Sequence, residues 1–176
     1  SAPTPAGPSA GSAAASSNAP AVAKQQAGPA ARPNKPPVDV DPELFAILDE
    51  AIQDEHHAYY TYSRVLQDFA DHSKLTPFTN IVNAEAQHVK AVAKLFDKRG
   101  WFPLESTWSL GNVPAFDTLI DACAGGVAAE IENIAMYDAL LAGPLPDDVV
   151  KVFGVLRAAS LNNHLPAFEK CVARAK

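Results

Sequence analysis

Between residues 41 and 176, apolar side chains recur every three to four positions in four separate stretches. The first runs Leu44, Leu48, Ile52, Glu55, Tyr59, Tyr62, Leu66, Phe69, and the second Phe78, Ile81, Glu85, His88, Val92, Leu95. The third runs Phe116, Ile120, Cys123, Val127, Glu130, Ile134, Tyr137, Leu141, and the fourth Val149, Phe153, Leu156, Ser160, His164, Phe168, Cys171. That period predicts four amphipathic α-helices and no strand. Each stripe is interrupted where a core-facing helix should carry Leu or Val, by Glu55, by Glu85 with His88, by Glu130 and by His164. A lone glutamate buried at such a position would cost several kcal/mol or take up a proton, so a neutralising partner is expected.

Local signals set the boundaries. Asp41-Pro42-Glu43 opens the first helix with a capping Asp, Pro at the first helical position and an acid in the first turn. Its pattern fades at Asp71-His72-Ser73, and the second helix is expected from Thr76-Pro77 to Arg99, with Gly100 beyond it. So short a link makes the two antiparallel neighbours. Residues 101–114 carry no period and both tryptophans, Trp101 and Trp108. At roughly 3.3 Å per residue such a segment could run the length of a bundle, pinned by its tryptophans. The third helix is expected over 115–142, ending at Gly143-Pro144, with Gly125-Gly126 permitting close helix approach. The fourth begins near Pro146 and continues to the C-terminus, and Pro166 should kink it beside His164.

A repeat runs through these elements. Glu55 and Tyr62 recur 75 residues on as Glu130 and Tyr137, and His88 recurs 76 residues on as His164. Two helical hairpins joined by a long crossover make a four-helix bundle, and each hairpin contributes a Glu from its first helix and a His from its second.

The set Glu55…Glu85-x-x-His88…Glu130…His164 resembles the ferritin-like (rubrerythrin-like) di-iron carboxylate bundle, in which two helices give one Glu each and two give Glu-x-x-His. The strings from Glu55 to Tyr62 and from Asn80 to His88 share the likeness. So do Gly126-x-x-x-Glu130 and Ala159-Ser160-x-x-x-His164, which are similar to a bacterial ferritin-like domain of unknown function. The resemblance covers about 44–172 and implies one or two metal ions held by Glu55, Glu85, His88, Glu130 and His164. Iron is the expected metal; carboxylate with imidazole suits Mn and Zn as well. Tyr62, Tyr137 and Ser160 would hydrogen-bond the ligands. One departure matters: the second Glu-x-x-His should put a glutamate at 161, where the chain has Leu161 beside Ser160. Three acids therefore stand where the family has four, which predicts a weaker or more open second position.

If iron binds, the family's chemistry is oxidation of Fe(II) by O₂ or peroxide, of the ferroxidase or peroxide-scavenging type. No Cys-x-x-Cys pair is present, so no rubredoxin-type electron-transfer domain is built in. Two alternatives stand beside the enzyme: a non-catalytic module for metal sequestration or delivery, and a structural interaction bundle with a degenerate site. His56 and His57 flank Glu55 but point about 100° and 200° away from it on a helix, so they are expected to face solvent. Glu132 should likewise lie at the surface.

Composition adds a tail, a charge and a compartment. Residues 1–40 hold 8 of the 15 prolines and 12 alanines, with no Leu, Ile, Met or aromatic residue, and are expected to be a disordered spacer ahead of one folded domain, 41–176. Lys24, Arg32 and Lys35 against Asp39 make the tail +2, so the chain's −6 leaves −8 on the domain, which argues against a nucleic-acid partner. No apolar run is long enough to span a membrane. A start inside an Ala/Pro/Ser tract is expected of a periplasmic or secreted protein whose signal peptide has been removed, the alternative being a cloning boundary. Cys123 lies seven residues before Glu130 and Cys171 seven after His164, two helical turns in each case. On antiparallel helices both fall about 10 Å from the metal level on the same side, so they should face each other as a disulfide, the alternative being two buried thiols.

Overall fold

The computed structural model describes residues 40–69 and 75–174. Apart from Val40, the N-terminal tail lies outside the described residues, as does His72 in the expected turn. Among the described residues every regular element is helical: α1 (Pro42–Asp68), α2 (Thr76–Asp97), α3 (Leu119–Leu141), α4 (Asp147–Ala159), a π-helical turn (Ser160–His164) and α5 (Leu165–Arg174). The last three run on as one fourth helix. Its π turn closes with the Leu165 N–H donating to the Ser160 carbonyl.

Chain ends and caps follow the sequence with two shifts. Asp41 accepts from the N–H groups of Glu43 and Leu44, as its place before Pro42 dictates. Thr76, in contrast, is already helical, and the cap position falls on Leu75, whose side chain makes no capping hydrogen bond. The third helix starts at Leu119 rather than near Ala115, because the Thr118 hydroxyl caps it by accepting from Asp121 N–H. That leaves Phe116 before the helix, with its ring over Gly125, where an added Cβ would sit 2.4 Å from the ring. Gly126 likewise lies under Phe168, with 2.6 Å to the ring. The two glycines therefore allow the close approach that their sequence suggests.

Adjacent helices of the bundle, α1 with α2, α1 with α3, and α3 with the fourth helix, run antiparallel. Phe45 meets Phe96 and Tyr62 meets Phe78 between α1 and α2, and Tyr137 meets Phe153 between α3 and α4. Two apolar clusters fill the bundle, one toward each end. One holds Phe45, Leu48, Val92, Leu95, Phe96, Phe153 and Leu156, and the other Tyr62, Val65, Phe78, Cys123, Phe168 and Cys171. The charged residues sit between them. Cys123 and Cys171 form a disulfide that ties α3 to α5.

The crossover runs lengthwise along α1. Gly100, at φ 67°, turns the chain out of α2, a conformation that glycine adopts without strain. Trp101 then packs on Phe45, and the Gln53 amide holds the segment, donating to the Glu105 carbonyl and accepting from Thr107 N–H. Farther on, Trp108 packs at a tilt on His57, ring centroids 4.1 Å apart, and Arg64 donates to the Leu110 carbonyl.

Candidate metal centre

The five stripe-breaking residues come together. Glu55, Glu85 and His88 form one buried group and Glu85, Glu130 and His164 another, with the potential ligand atoms of each within 4.8 Å of one another. Glu85 belongs to both. Its Oε2 lies 2.9 Å from His88 Nδ1 and its Oε1 2.9 Å from His164 Nδ1, one oxygen toward each group. Glu55 Oε2 stands 3.1 Å from His88 Nδ1, and Glu130 Oε2 stands 3.4 Å from His164 Nδ1. The two imidazoles face each other 5.4 Å apart and nearly parallel.

Tyr62 and Tyr137 fix the outer carboxylates, and they do so crosswise. Tyr62 of α1 donates to Glu130 Oε1 of α3 at 2.6 Å, while Tyr137 of α3 donates to Glu55 Oε1 of α1 at 2.5 Å. Each tyrosine takes one oxygen of its glutamate and leaves the other turned inward to its histidine. Burial and the neighbouring glutamates push both phenols well above their ordinary range, so they stay neutral donors.

The electrostatics are those of a buried acid cluster. Burial pushes Glu55 up to about 7 against the opposing effect of His88. Burial also raises Glu85, but the imidazoles of His164 and His88 outweigh it and hold the carboxyl below its usual value. For His88 burial works downward, and the carboxylates of Glu55 and Glu85 override it to give about 10. His164 is held at about 9, because Glu130 and Glu85 override the same desolvation. Imidazolium charge thus supplies the neutralising partner that Glu85 requires.

Protons are an imperfect filling. His164 Nδ1 is fully buried and within 2.9 Å of a carboxylate oxygen, yet it makes no hydrogen bond of good direction. A nitrogen and two carboxylate oxygens that crowd together without bonding one another suit a shared cation better than shared hydrogens. The donor set, carboxylate plus imidazole, fits Fe, Mn or Zn.

The fourth helix corrects the sequence reading of the missing acid. Phe78, Ile81 and Glu85 match Phe153, Leu156 and Ser160 at an offset of 75; His88, Val92 and Leu95 match His164, Phe168 and Cys171 at 76. All twelve are buried. The extra residue is absorbed by the π turn, which widens one helical turn by one position. Glu85 therefore corresponds to Ser160, 2 % exposed, and not to Leu161, which is 38 % exposed on the outer face. The distortion beside Pro166 is this change of winding. Nor does Ser160 bond an acid: its hydroxyl donates to Asn133 Oδ1 at 2.8 Å.

Several residues at the site gave no clear sequence signal. Asn133 Nδ2 donates to Asp54 Oδ2 at 2.7 Å. Burial pushes Asp54 up to about 7, with the charges of Glu55, Glu85 and Glu130 adding to the rise and the Asn133 hydrogen bond opposing it. The only hint of Asn133 was its place one turn after Glu130 on the same face. His56 and His57 do not face open solvent as expected; both are half-buried, and His57 lies beneath Trp108 because the crossover covers that side of α1. Desolvation lowers the pKa of each. Glu132 is exposed, as expected. A cleft of about 610 Å³ between α1, α3 and the crossover is lined by Asp49, Glu50, Asp54, His57, Trp108 and Glu132 among others. A cavity of about 10 Å³ beneath it shares Asp54, His57 and Glu132 and reaches Glu85 and Glu130.

No family model and no curated protein matches the chain. Solved structures do. A hypothetical protein from Methanococcus jannaschii aligns at TM-score 0.66 and 23% identity, over 81% of this chain and 86% of its own. Desulfovibrio desulfuricans bacterioferritin, whose structure describes a diiron site, aligns at 0.61 and 18%, over 74% and 78%. A dodecameric thioferritin from Bacteroides fragilis, described as bacterioferritin-related, aligns at 0.61 and 16%, over 76% and 88%. The chain has the ferritin-like fold.

Proposed function

We propose that this protein is a ferritin-like metal protein that holds two iron ions, one at Glu55, Glu85 and His88 and one at Glu85, Glu130 and His164. The observation that carries the reading is the pair of overlapping buried ligand groups sharing Glu85, with His164 Nδ1 of the second group left without a hydrogen bond. Iron is favoured over Mn and Zn by the diiron site of the structurally similar bacterioferritin. Bound iron would supply oxidation of Fe(II) by O₂ or peroxide, in the manner of a ferroxidase or a peroxide scavenger.

The chain's own groups prepare that chemistry. Glu85 turns one oxygen toward each ligand group, so this one acid would serve both positions. Tyr137 and Tyr62 occupy the outward oxygens of Glu55 and Glu130 and keep the inward ones aimed. The apolar clusters at both ends keep bulk water away and strengthen every charge interaction between them. The small cavity beside Glu85 and Glu130 is just large enough for one water or a similarly small oxidant. The disulfide supports an oxidising compartment, periplasmic or extracellular. Among the described residues no helix is long and apolar enough to cross a membrane.

Metal sequestration or delivery without oxidation is the second reading, and Ser160 in the place of a fourth glutamate favours it. Anaerobic Fe(II) titration followed by O₂ separates the two. Two ions per chain and rapid ferric absorption in the near ultraviolet establish the oxidase. Binding without oxidation establishes the holding module. If wild type and Glu85→Ala both leave iron unbound, neither reading stands and the bundle is structural.

A further inference from the structure

The internal repeat singles out positions around the centre at which its two halves differ. Beside Ser160 in place of Glu85, the halves differ at several positions along α1 and α3, and two of these connect to that serine. Asp54 corresponds by the 75-residue offset to Ala129, and Asn133 to Ala58. These three departures are physically joined. The Ser160 hydroxyl donates to Asn133 Oδ1, and the same amide donates through Nδ2 to Asp54. Asp54 in turn lines the small cavity that contains Glu85 and Glu130, and also the outer cleft open to solvent.

We propose that Asp54 is the fourth acid of the centre, transferred from the fourth helix to the first, and that Ser160 and Asn133 hold it in that role. The assignment rests on the two-ion reading above. Two divalent ions bring +4, and with neutral imidazoles Glu55, Glu85 and Glu130 return only −3. Asp54 completes the balance from the seam, through the one-water cavity between it and the glutamates. Asp54, acceptor-only when ionised, turns the Asn133 NH₂ toward α1, and Ser160 permits that orientation because its hydroxyl can donate to the Oδ1 left facing α4. A carboxylate at 160 would demand the reverse, turning Oδ1 against Asp54 and expelling it. One amide can serve an acid at 160 or an acid at 54, not both. The serine and the aspartate thus belong together, and the loss of the glutamate is compensated instead of leaving the second ion short of charge.

The test is an anaerobic titration of the full chain with Mn(II) and Fe(II), counting ions and their affinities in wild type, Asp54→Asn, Ser160→Glu and the double variant. Asp54→Asn is close to isosteric, and circular dichroism with a thiol count confirms the fold before titration. The expected result is two ions in wild type and at least a tenfold loss of affinity for the weaker ion in Asp54→Asn. In the Ser160→Glu background the same substitution should change affinity less than twofold, because the acid at 160 has taken over. Asn133→Ala should weaken the ion in the same direction as Asp54→Asn. An Asp54→Asn protein within twofold of wild type, or one with equal losses in both backgrounds, overturns the assignment and leaves the two-ion reading intact. A wild-type chain that binds one ion or none overturns both.

Discussion

The same two positions carry different chemistry at the two ends of the bundle. In the first hairpin Leu48 of α1 and Leu95 of α2 lie buried in one apolar cluster; their counterparts in the second are Cys123 of α3 and Cys171 of α5, joined covalently in the other cluster. The first hairpin consists of two uninterrupted helices of 27 and 22 residues. The second has Gly125-Gly126 in one helix and, in the other, a π turn with Pro166 beside it. Glycine in a helix interior costs about 1 kcal/mol each relative to alanine, and a proline there costs about 3 kcal/mol. The hairpin with the weaker helices is the one that carries the staple. A centre that needs both hairpins at one height therefore gets its rigidity from packing on one side and from a covalent bond on the other.

Breaking the disulfide should have the largest effect on this comparison. The bond closes a separation of 48 residues, for which the chain-entropy estimate of its stabilisation is about 4 kcal/mol. Cys123→Ala with Cys171→Ala is expected to lower the urea midpoint accordingly, and to expose the α3 and α5 amides to hydrogen exchange before those of α1 and α2. Uniform exchange across all helices would show that the hairpins do not differ in the way described.

The tyrosines come next, at about 1.5–3 kcal/mol each for a hydrogen bond to a charged group. Tyr62→Phe should cost more than Tyr137→Phe. Glu130 lies 3.4 Å from His164 while Glu55 lies 3.1 Å from His88, so Glu130 depends more on its tyrosine. Urea unfolding of the metal-free variants checks the order, and a larger loss in Tyr137→Phe would reverse the assignment of the looser half.

Much of this was legible in the residues. Burial at helical period located all four helices, and the charged interruptions located the centre, because a Glu in an apolar stripe has few explanations. Asp54 and Asn133 escaped, since each lies next to or one turn from a more conspicuous acid and means nothing until α1 and α3 are brought together. The π turn escaped too. Nothing in Ser160-Leu161-Asn162-Asn163-His164 departs from helical composition, and only the slip of the repeat from 75 to 76 recorded the extra residue. His57 was misplaced for a third reason: a crossover without periodicity gives no sign of the face it will cover.

In the metal-free protein, stability should fall steadily as pH rises from about 5 to 10. Glu55 and Asp54 have folded values raised to about 7, so their ionisation opposes folding increasingly above their ordinary range. His88 and His164 have folded values near 10 and 9; their contribution is complete below the unfolded value of about 6.5 and is lost as pH passes those values. Glu85, held low, works the other way, so that acid below its ordinary value also destabilises. Thermal unfolding across this range checks the direction. Saturating metal should flatten or invert the slope, since a metal ion competes with the same protons.

Leu161→Glu should have the smallest effect, and the substitution sharpens the comparison by being silent. Counting three residues back from His164, as Glu85 stands before His88, puts the absent acid at 161 and predicts that glutamate there would restore metal binding. With the π turn in place that side chain is 38 % exposed, on the outside of the helix instead of in the ligand layer. Stability should change by less than about 0.5 kcal/mol, as for an ordinary surface substitution. Ion count and affinity should match wild type, whereas Ser160→Glu alters the response to Asp54→Asn. A gain of affinity in Leu161→Glu would mean that the fourth helix winds as a regular α-helix through the site. Ser160 would then no longer be the counterpart of Glu85.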